Sequence, residues 1–471
     1  MTDLTPTEAT HNNHPEGAPR EETRRRERTL RVGLALILGV YLALAIRLLA
    51  LLPLWGAVHD EPLHFGYCKY LAVRGEFPRI GEGIYMDPRL YYWGPSAGEA
   101  AHHPPGYYLL GSLVYRLLAG QSLATQNYGI RILSLLLGLT ALLLLYGACR
   151  EVFRKEPHYA LAVVAGVAVF PHWLMMSSVI YVEVFGAAAA MGALWMLCRY
   201  ARNAERWGSL CAAGAFVGLM ALTKMTLLAF CLGFAWVGLA QIWASGNSRR
   251  KNAGQTAAYL GAMVLVAGWW YLRSVLVYGK LFPTSVLPGQ LETAITFHGQ
   301  PPDMLSVLFV PRGRFYYWLA ISGVFRFFWC PSDWLPPATR PLMYSVAAAT
   351  WLLTGIGLWR GLRRRDEDLC WLWRRFALPL LAGLTLMFFH YLRWTVTTCV
   401  QAHAEFGKFV QPLFGFASLL FALSARALFG SRGGLMVVAA FCAFFVLWDA
   451  LAIHHLATVL IPRYAPTIPV P

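Results

Sequence analysis

Asp60-Glu61-Pro62-Leu63-His64 places two adjacent carboxylates and an imidazole around a proline, just after a long apolar run. Proline suits the first turn of a helix. With Pro62 in that turn, both carboxylates sit at the helix N-terminus, where the dipole favours their ionised form. An ionised carboxylate at a dry edge can take the proton from an attacking hydroxyl. His64 lies one turn beyond Glu61, close enough to orient it or to share a divalent ion with it. The chemistry on offer is general-base activation of a hydroxyl, with Asp60 as base. The tripeptide alone also reads as an ordinary helix cap, so its surroundings decide.

His102-His103-Pro104-Pro105 closes the same loop, and two histidines before a rigid di-proline can face the acids across it or simply form an interfacial turn. Tyr67 falls on the helix expected after Pro62 and is a candidate substrate contact. Lys224, Arg273 and Lys408 fall at the ends of apolar runs, with Arg131 a weaker member of the set. Charges so close to hydrocarbon are costly and mark functional sites by default, although Lys224 and Arg273 can also snorkel to headgroups. Glu183 can pair with a cation such as Lys224, or join Asp60 and Glu61 around Mg²⁺ or Mn²⁺. His172, His390 and Asp449 read as packing or hydrogen-bonding residues.

The elements that must hold these groups are membrane helices. The chain of 471 residues is 57% hydrophobic and only 14% charged, against about a quarter charged in soluble domains. Its apolar residues fall in runs of roughly 17–25, the length that crosses a bilayer as helix. The runs lie at 32–54, 129–148, 159–177, 180–198, 208–223, 225–243, 257–277, 342–360, 376–395, 408–427 and 433–453. The expectation is an all-α polytopic protein of about eleven transmembrane helices, with 208–243 readable as one tilted span or two. The net charge of +16 gathers in clusters between runs, at 24–28, 150–155, 199–206, 249–251 and 363–365. That is the positive-inside pattern of cytoplasmic loops, with anionic lipid as the partner, and it argues against nucleic acid. Cysteines such as Cys198, Cys211, Cys231 and Cys442 lie inside or beside apolar runs, read as small core residues, and show no metal or disulfide spacing.

Threaded from a cytoplasmic N-terminus, the chain divides into an unstructured tail over 1–30, a membrane domain over 31–460 and an outer tail over 461–471. Two long loops lie outside, 55–104 and 278–341. In the first, a surface helix over 62–74 carries Leu63, Tyr67, Tyr70 and Leu71 on one face. A second surface helix follows Pro104-Pro105, with Tyr108, Leu109, Leu113 and Leu117 on its apolar side. In the second loop, the aromatic stretch 304–330 suits an interfacial or re-entrant segment.

Asp60-Glu61-Pro62-Leu63-His64-Phe65, followed by Tyr70-Leu71-Ala72, Gly75, Pro78 and His103-Pro104-Pro105 with Tyr107 to Leu110, resembles the first outer loop of GT-C membrane glycosyltransferases. The similarity is to the protein O-mannosyltransferase and aminoarabinose-transferase group. Arg131 to Ser134, Leu222-Thr223-Lys224, Gly268 to Arg273 and Phe406 to Pro412 also have counterparts there. Tyr181-Val182-Glu183 stands where the group has Asn-Asn-Asp, and Lys408 where it has an arginine. The resemblance implies a catalytic carboxylate at Asp60, an active site on the outer face of a bacterial inner membrane, and a polyprenyl-phosphate sugar as donor rather than a nucleotide sugar. The acceptor is a hydroxyl on a glycan, lipid or protein. The leaving phosphate needs cations, and Lys224, Arg273 and Lys408 are the candidates. The alternative is a lipid or glycan transporter, which favours mid-bilayer charges and repeated halves. Neither feature is evident in this sequence.

Overall fold

The computed structural model describes residues 18–54, 61–80, 99–283, 325, 328–329, 336–398 and 410–464, and every regular element among them is helical. The elements are α1 (Ala18–Leu51), α2 (Glu61–Arg74), α3 (Gly106–Leu117), α4 (Leu123–Val152), α5 (His158–Ala168), α6 (Pro171–Ser178) and α7 (Glu183–Arg202). They continue with α8 (Trp207–Ala221), α9 (Leu228–Trp243), α10 (Arg249–Tyr278), α11 (Arg340–Arg363), α12 (Glu367–Leu372), α13 (Leu378–Thr398) and α14 (Phe414–His455). The stretch expected to be an unstructured tail is helical from Ala18 onward, since its run of Arg and Glu is made of good helix formers.

Among the described residues, eight helices are long and apolar enough to cross a membrane, or nine if the bent pair α5–α6 is one span. This is fewer than the eleven runs read from the sequence, for two reasons. The 208–243 region is two helices broken at Leu222–Lys224, and α8 has only 15 residues. The runs at 408–427 and 433–453 are counted within one helical stretch. That stretch doubles back at Gly430, where φ is 73° and ψ is 180°. The rings of Phe421 and Phe441 are 5.0 Å apart, whereas a straight helix would separate them by about 30 Å. Phe170 touches both limbs, meeting Phe414 at 5.4 Å and Phe445 at 5.6 Å.

The α5–α6 pair bends by 64° at Phe170–Pro171, because Pro171 has no amide hydrogen to continue the ladder. Close backbone approach locks the helices elsewhere. A Cβ on Gly233 would lie 2.9 Å from the Pro379 carbonyl oxygen, and one on Gly383 would lie 2.9 Å from that of Ala229. Small residues let membrane helices meet in this way.

The basic clusters gather at one end of the bundle. Arg150 binds Glu27 at 2.7 Å, Arg202 donates to the Glu151 carbonyl at 3.2 Å, and Lys251 pairs with Glu205. Arg26 reaches the Lys155 carbonyl at 3.2 Å, and Arg202 lies 4.0 Å over the Trp371 ring. The opposite end carries α2, α3 and the breaks at 179–182 and 222–224. Here α3 departs from expectation: Tyr108 is buried, while Leu109, Leu113 and Leu117 form an exposed stripe.

Candidate functional site

At the end away from the basic clusters, Glu61 opens α2 and is completely buried. Its carboxylate faces Arg131 of α4, also completely buried, in a two-pronged ion pair of 2.7 Å from Nε and 2.8 Å from Nη2. The Ile180 amide donates to the same carboxylate at 3.1 Å. Arg131 also donates to the carbonyls of Leu49 (3.3 Å), Leu52 (2.8 Å) and Pro53 (2.9 Å), at the C-terminus of α1. A guanidinium has five N–H groups, and five bonds account for them. The cation thus caps α1, where the helix dipole is negative, and ties α1, α2, α4 and the 179–182 break to one point. Arg131 is therefore spent within the protein and is not a phosphate ligand. A lone arginine inside the run 129–148 was the signal that such a partner existed.

Asp60 and Lys408, the expected base and one expected phosphate ligand, lie outside the described residues. The remaining loop candidates come together. His64 Nδ1 and the Tyr108 hydroxyl share a 2.9 Å hydrogen bond, and Tyr108 stacks on Tyr67 with ring centres 3.9 Å apart. The Tyr67 hydroxyl donates to the His103 carbonyl at 3.3 Å, and the His103 ring lies 4.0 Å from that of His102 and 6.4 Å from that of His64. Burial pushes the Tyr67 phenol and the neighbouring Cys68 thiol up, so both stay protonated. Tyr108 is the residue sequence reasoning missed. The sequence pattern places it on the apolar side of α3 with the leucines, yet it joins α2 to the histidine pair.

Glu183 and Lys224 form a second buried pair at 2.9 Å, with side chains 1% and 7% exposed. Glu183 starts α7, where the dipole favours an anion, and Lys224 stands in the α8–α9 break. Pairing, one of the two readings of Glu183, is thus what the structure shows. The Gly106 amide donates to the Leu222 carbonyl at 2.8 Å, closing α3 onto this break. A Cβ there would meet Phe185 at 2.7 Å, which restricts position 106 to glycine. Arg273 of α10 donates to the Phe77 carbonyl at 3.2 Å and is stacked on Trp270 and Phe77. Its buried Nη1 has no hydrogen-bond partner among the described residues.

The fit of a divalent ion to Asp60, Glu61 and Glu183 can be judged for two of the three. Both oxygens of Glu61 accept from Arg131, which neutralises the carboxylate, and Glu183 is neutralised by Lys224. Carboxylates already paired with cations do not make a site for a third positive charge. Among the described residues no three His, Cys, Asp or Glu side chains cluster in metal-binding geometry. A separate apolar cavity of about 250 Å³ lies between α5, α11 and α14, walled by Phe170, Trp329, Trp351 and Phe421.

Residues 102–271 match the dolichyl-phosphate-mannose-protein mannosyltransferase family. No curated protein matches the sequence. Among solved structures, ArnT from Cupriavidus metallidurans bound to undecaprenyl phosphate superposes with a TM-score of 0.52 at 13% identity, over 92% of this chain and 79% of that one. The Archaeoglobus fulgidus oligosaccharyltransferase in complex with Zn and sulfate gives 0.47 at 18% identity, over 89% of this chain and 52% of that one. The chain thus spans about half the length of the archaeal enzyme. The Saccharomyces cerevisiae protein O-mannosyltransferase complex Pmt1-Pmt2, bound to the sugar donor, gives 0.39 at 19% identity over 55% of this chain and 35% of that one.

Proposed function

We propose that this chain, whose fold is that of the GT-C membrane glycosyltransferase superfamily, moves a sugar from a polyprenyl-phosphate donor to a hydroxyl acceptor at the end of the bundle that carries α2. The observation that carries the reading is the Glu61–Arg131 pair. It fixes the residue next to Asp60 at a helix N-terminus, in a buried setting that a mere surface cap would not require. Asp60 takes the proton of the acceptor hydroxyl. The freed oxygen attacks the anomeric carbon, and the bond from that carbon to the phosphate oxygen breaks. The electron pair leaves with polyprenyl phosphate, and the anomeric configuration inverts. Glu61 positions Asp60, and His64 with Tyr108 fixes the first turn of α2.

The departing phosphate needs cations in a site poor in water. Arg273, with Nη1 unpartnered among the described residues, is best prepared for it, and Lys408 is the second candidate; Lys224 is already held by Glu183. Tyr67, His102 and His103 wall the acceptor side. No step runs through a divalent cation, because Glu61 and Glu183 are already neutralised. The apolar cavity beside Phe170, at the start of α6, offers a dry wall for a polyprenyl chain, and α6 ends beside Ile180, which holds Glu61. The acceptor is a glycan, lipid or protein hydroxyl. The positive-inside rule, applied to the basic end, supports a reading in which the chemistry faces the outer side of the membrane, taken here to be a bacterial inner membrane.

The test is transfer of labelled sugar from an undecaprenyl-phosphate donor in detergent, where no gradient exists. Wild-type chain should label an envelope extract, and Asp60→Asn should fold and insert normally but lose at least about a hundredfold in rate, as removal of a general base does. Transport that needs sealed vesicles, with Asp60→Asn fully active, would instead favour a flippase.

A further inference from the structure

The side chain of Asn127 is completely buried, and among the described residues neither Oδ1 nor Nδ2 has a hydrogen-bond partner. A buried polar group left dry costs about 1–3 kcal/mol, and an ordered water is one of the standard reasons why such a group persists. Asn127 lies four residues before Arg131 and seven before Ser134 on α4, so the three share one helix face. Arg131 holds Glu61, and Ser134 meets the Tyr107 hydroxyl at 2.7 Å. Asn127 therefore stands about 6 Å, just over one turn, nearer the α2 end than Arg131.

A water needs two to four polar partners. Asn127 supplies an acceptor and two donors. Glu61 supplies another acceptor, because its Oε2 takes one bond, from Arg131, and each carboxylate oxygen accommodates about two. We propose that Asn127 seats an ordered water that bridges its carboxamide to Glu61 Oε2. The site holds whether or not the chain is a transferase. Its use, which rests on that reading, is to extend the hydrogen-bonded floor of Glu61 at the start of α2.

The molecule carries its own control. Gln241 of α9 is 3% exposed and, among the described residues, also has both amide atoms unpartnered. It lies two residues before the end of α9, the end away from the Lys224 break. A structure of the full chain at a resolution that shows waters should place an oxygen within hydrogen-bond distance of both Asn127 and Glu61. Asn127→Leu should remove that oxygen and lower the melting temperature by about 2 °C. Gln241→Leu, which deletes an amide with no hydrogen-bond partner among the described residues, should leave it unchanged or raise it. A dry Asn127 in that structure, or a melting temperature that rises in Asn127→Leu as it does in Gln241→Leu, overturns the proposal. Neither readout depends on sugar transfer, so loss of the water site and failure of the transferase reading would be told apart.

Discussion

The two ends of the bundle both use arginine to join distant segments, and they do so differently. At the α2 end, Arg131 is sealed from solvent, meets one carboxylate and spends its other donors on backbone carbonyls. At the basic end, Arg426 is 12% exposed and meets three carboxylates: Glu156 at 2.9 Å, Asp366 at 2.7 Å and Asp368 at 2.8 Å. Glu156 is bound in addition by the Ser431 hydroxyl. The first arrangement is dry and has no substitute if a partner is lost. The second is wetted and redundant. A bundle needs its ends held together, but only an end that positions a reacting group needs a single fixed geometry.

The contrast can be broken most forcefully at Arg131. Arg131→Ala leaves Glu61 buried and unpaired and uncaps α1, so it should cost about 3–5 kcal/mol, seen as lost folded protein in detergent. Replacing both partners, Glu61→Leu with Arg131→Met, should recover part of that stability, since a matched apolar pair removes the orphaned charge. It should not recover transfer. Glu183→Gln comes next. It keeps a hydrogen bond for Lys224 but removes the opposite charge, at an expected cost of up to about 3 kcal/mol.

Arg426→Ala should cost less, about 1–2 kcal/mol, because the acids it frees can turn to water. This end should also respond to acid. Burial pushes the Glu156 carboxyl up, but the Ser431 hydroxyl and Arg426 outweigh it and hold the group below its ordinary value. Its contribution is therefore present above the unfolded carboxylate pKa of about 4.5 and is lost as pH falls through the lower folded value. Melting followed from pH 6 to pH 3 should show that loss in the wild type and a shallower one in Arg426→Ala. The smallest effect belongs to Lys155 and Glu367. Both are 77% exposed, so Lys155→Ala should leave the melting temperature unchanged within error.

Much of this frame is legible in the sequence because membrane insertion writes plain rules into it. The proline at 62 and the pair at 104–105 mark where α2 and α3 begin, and Thr223-Lys224 marks the break between α8 and α9. The tie between residues 61 and 131 is not legible in that way. It depends on seventy residues of intervening chain folding back, and periodicity carries no such distance. Tyr108 fails for a related reason. On an amphipathic surface helix a tyrosine fits the lipid face as well as the protein face, and the hydrogen bond to His64 decides between them. Arg131 was suspected, but as a ligand for phosphate, because a sequence shows a buried charge and not which oxygens are already spent on it.

The reversal at Gly430 has a consequence for biogenesis. Two apolar limbs joined at one left-handed residue have as their connector only a short turn that carries Arg426, Ser431 and Arg432. So short a turn favours entry of both limbs into the bilayer as one hairpin, with the arginines holding the bend at one surface.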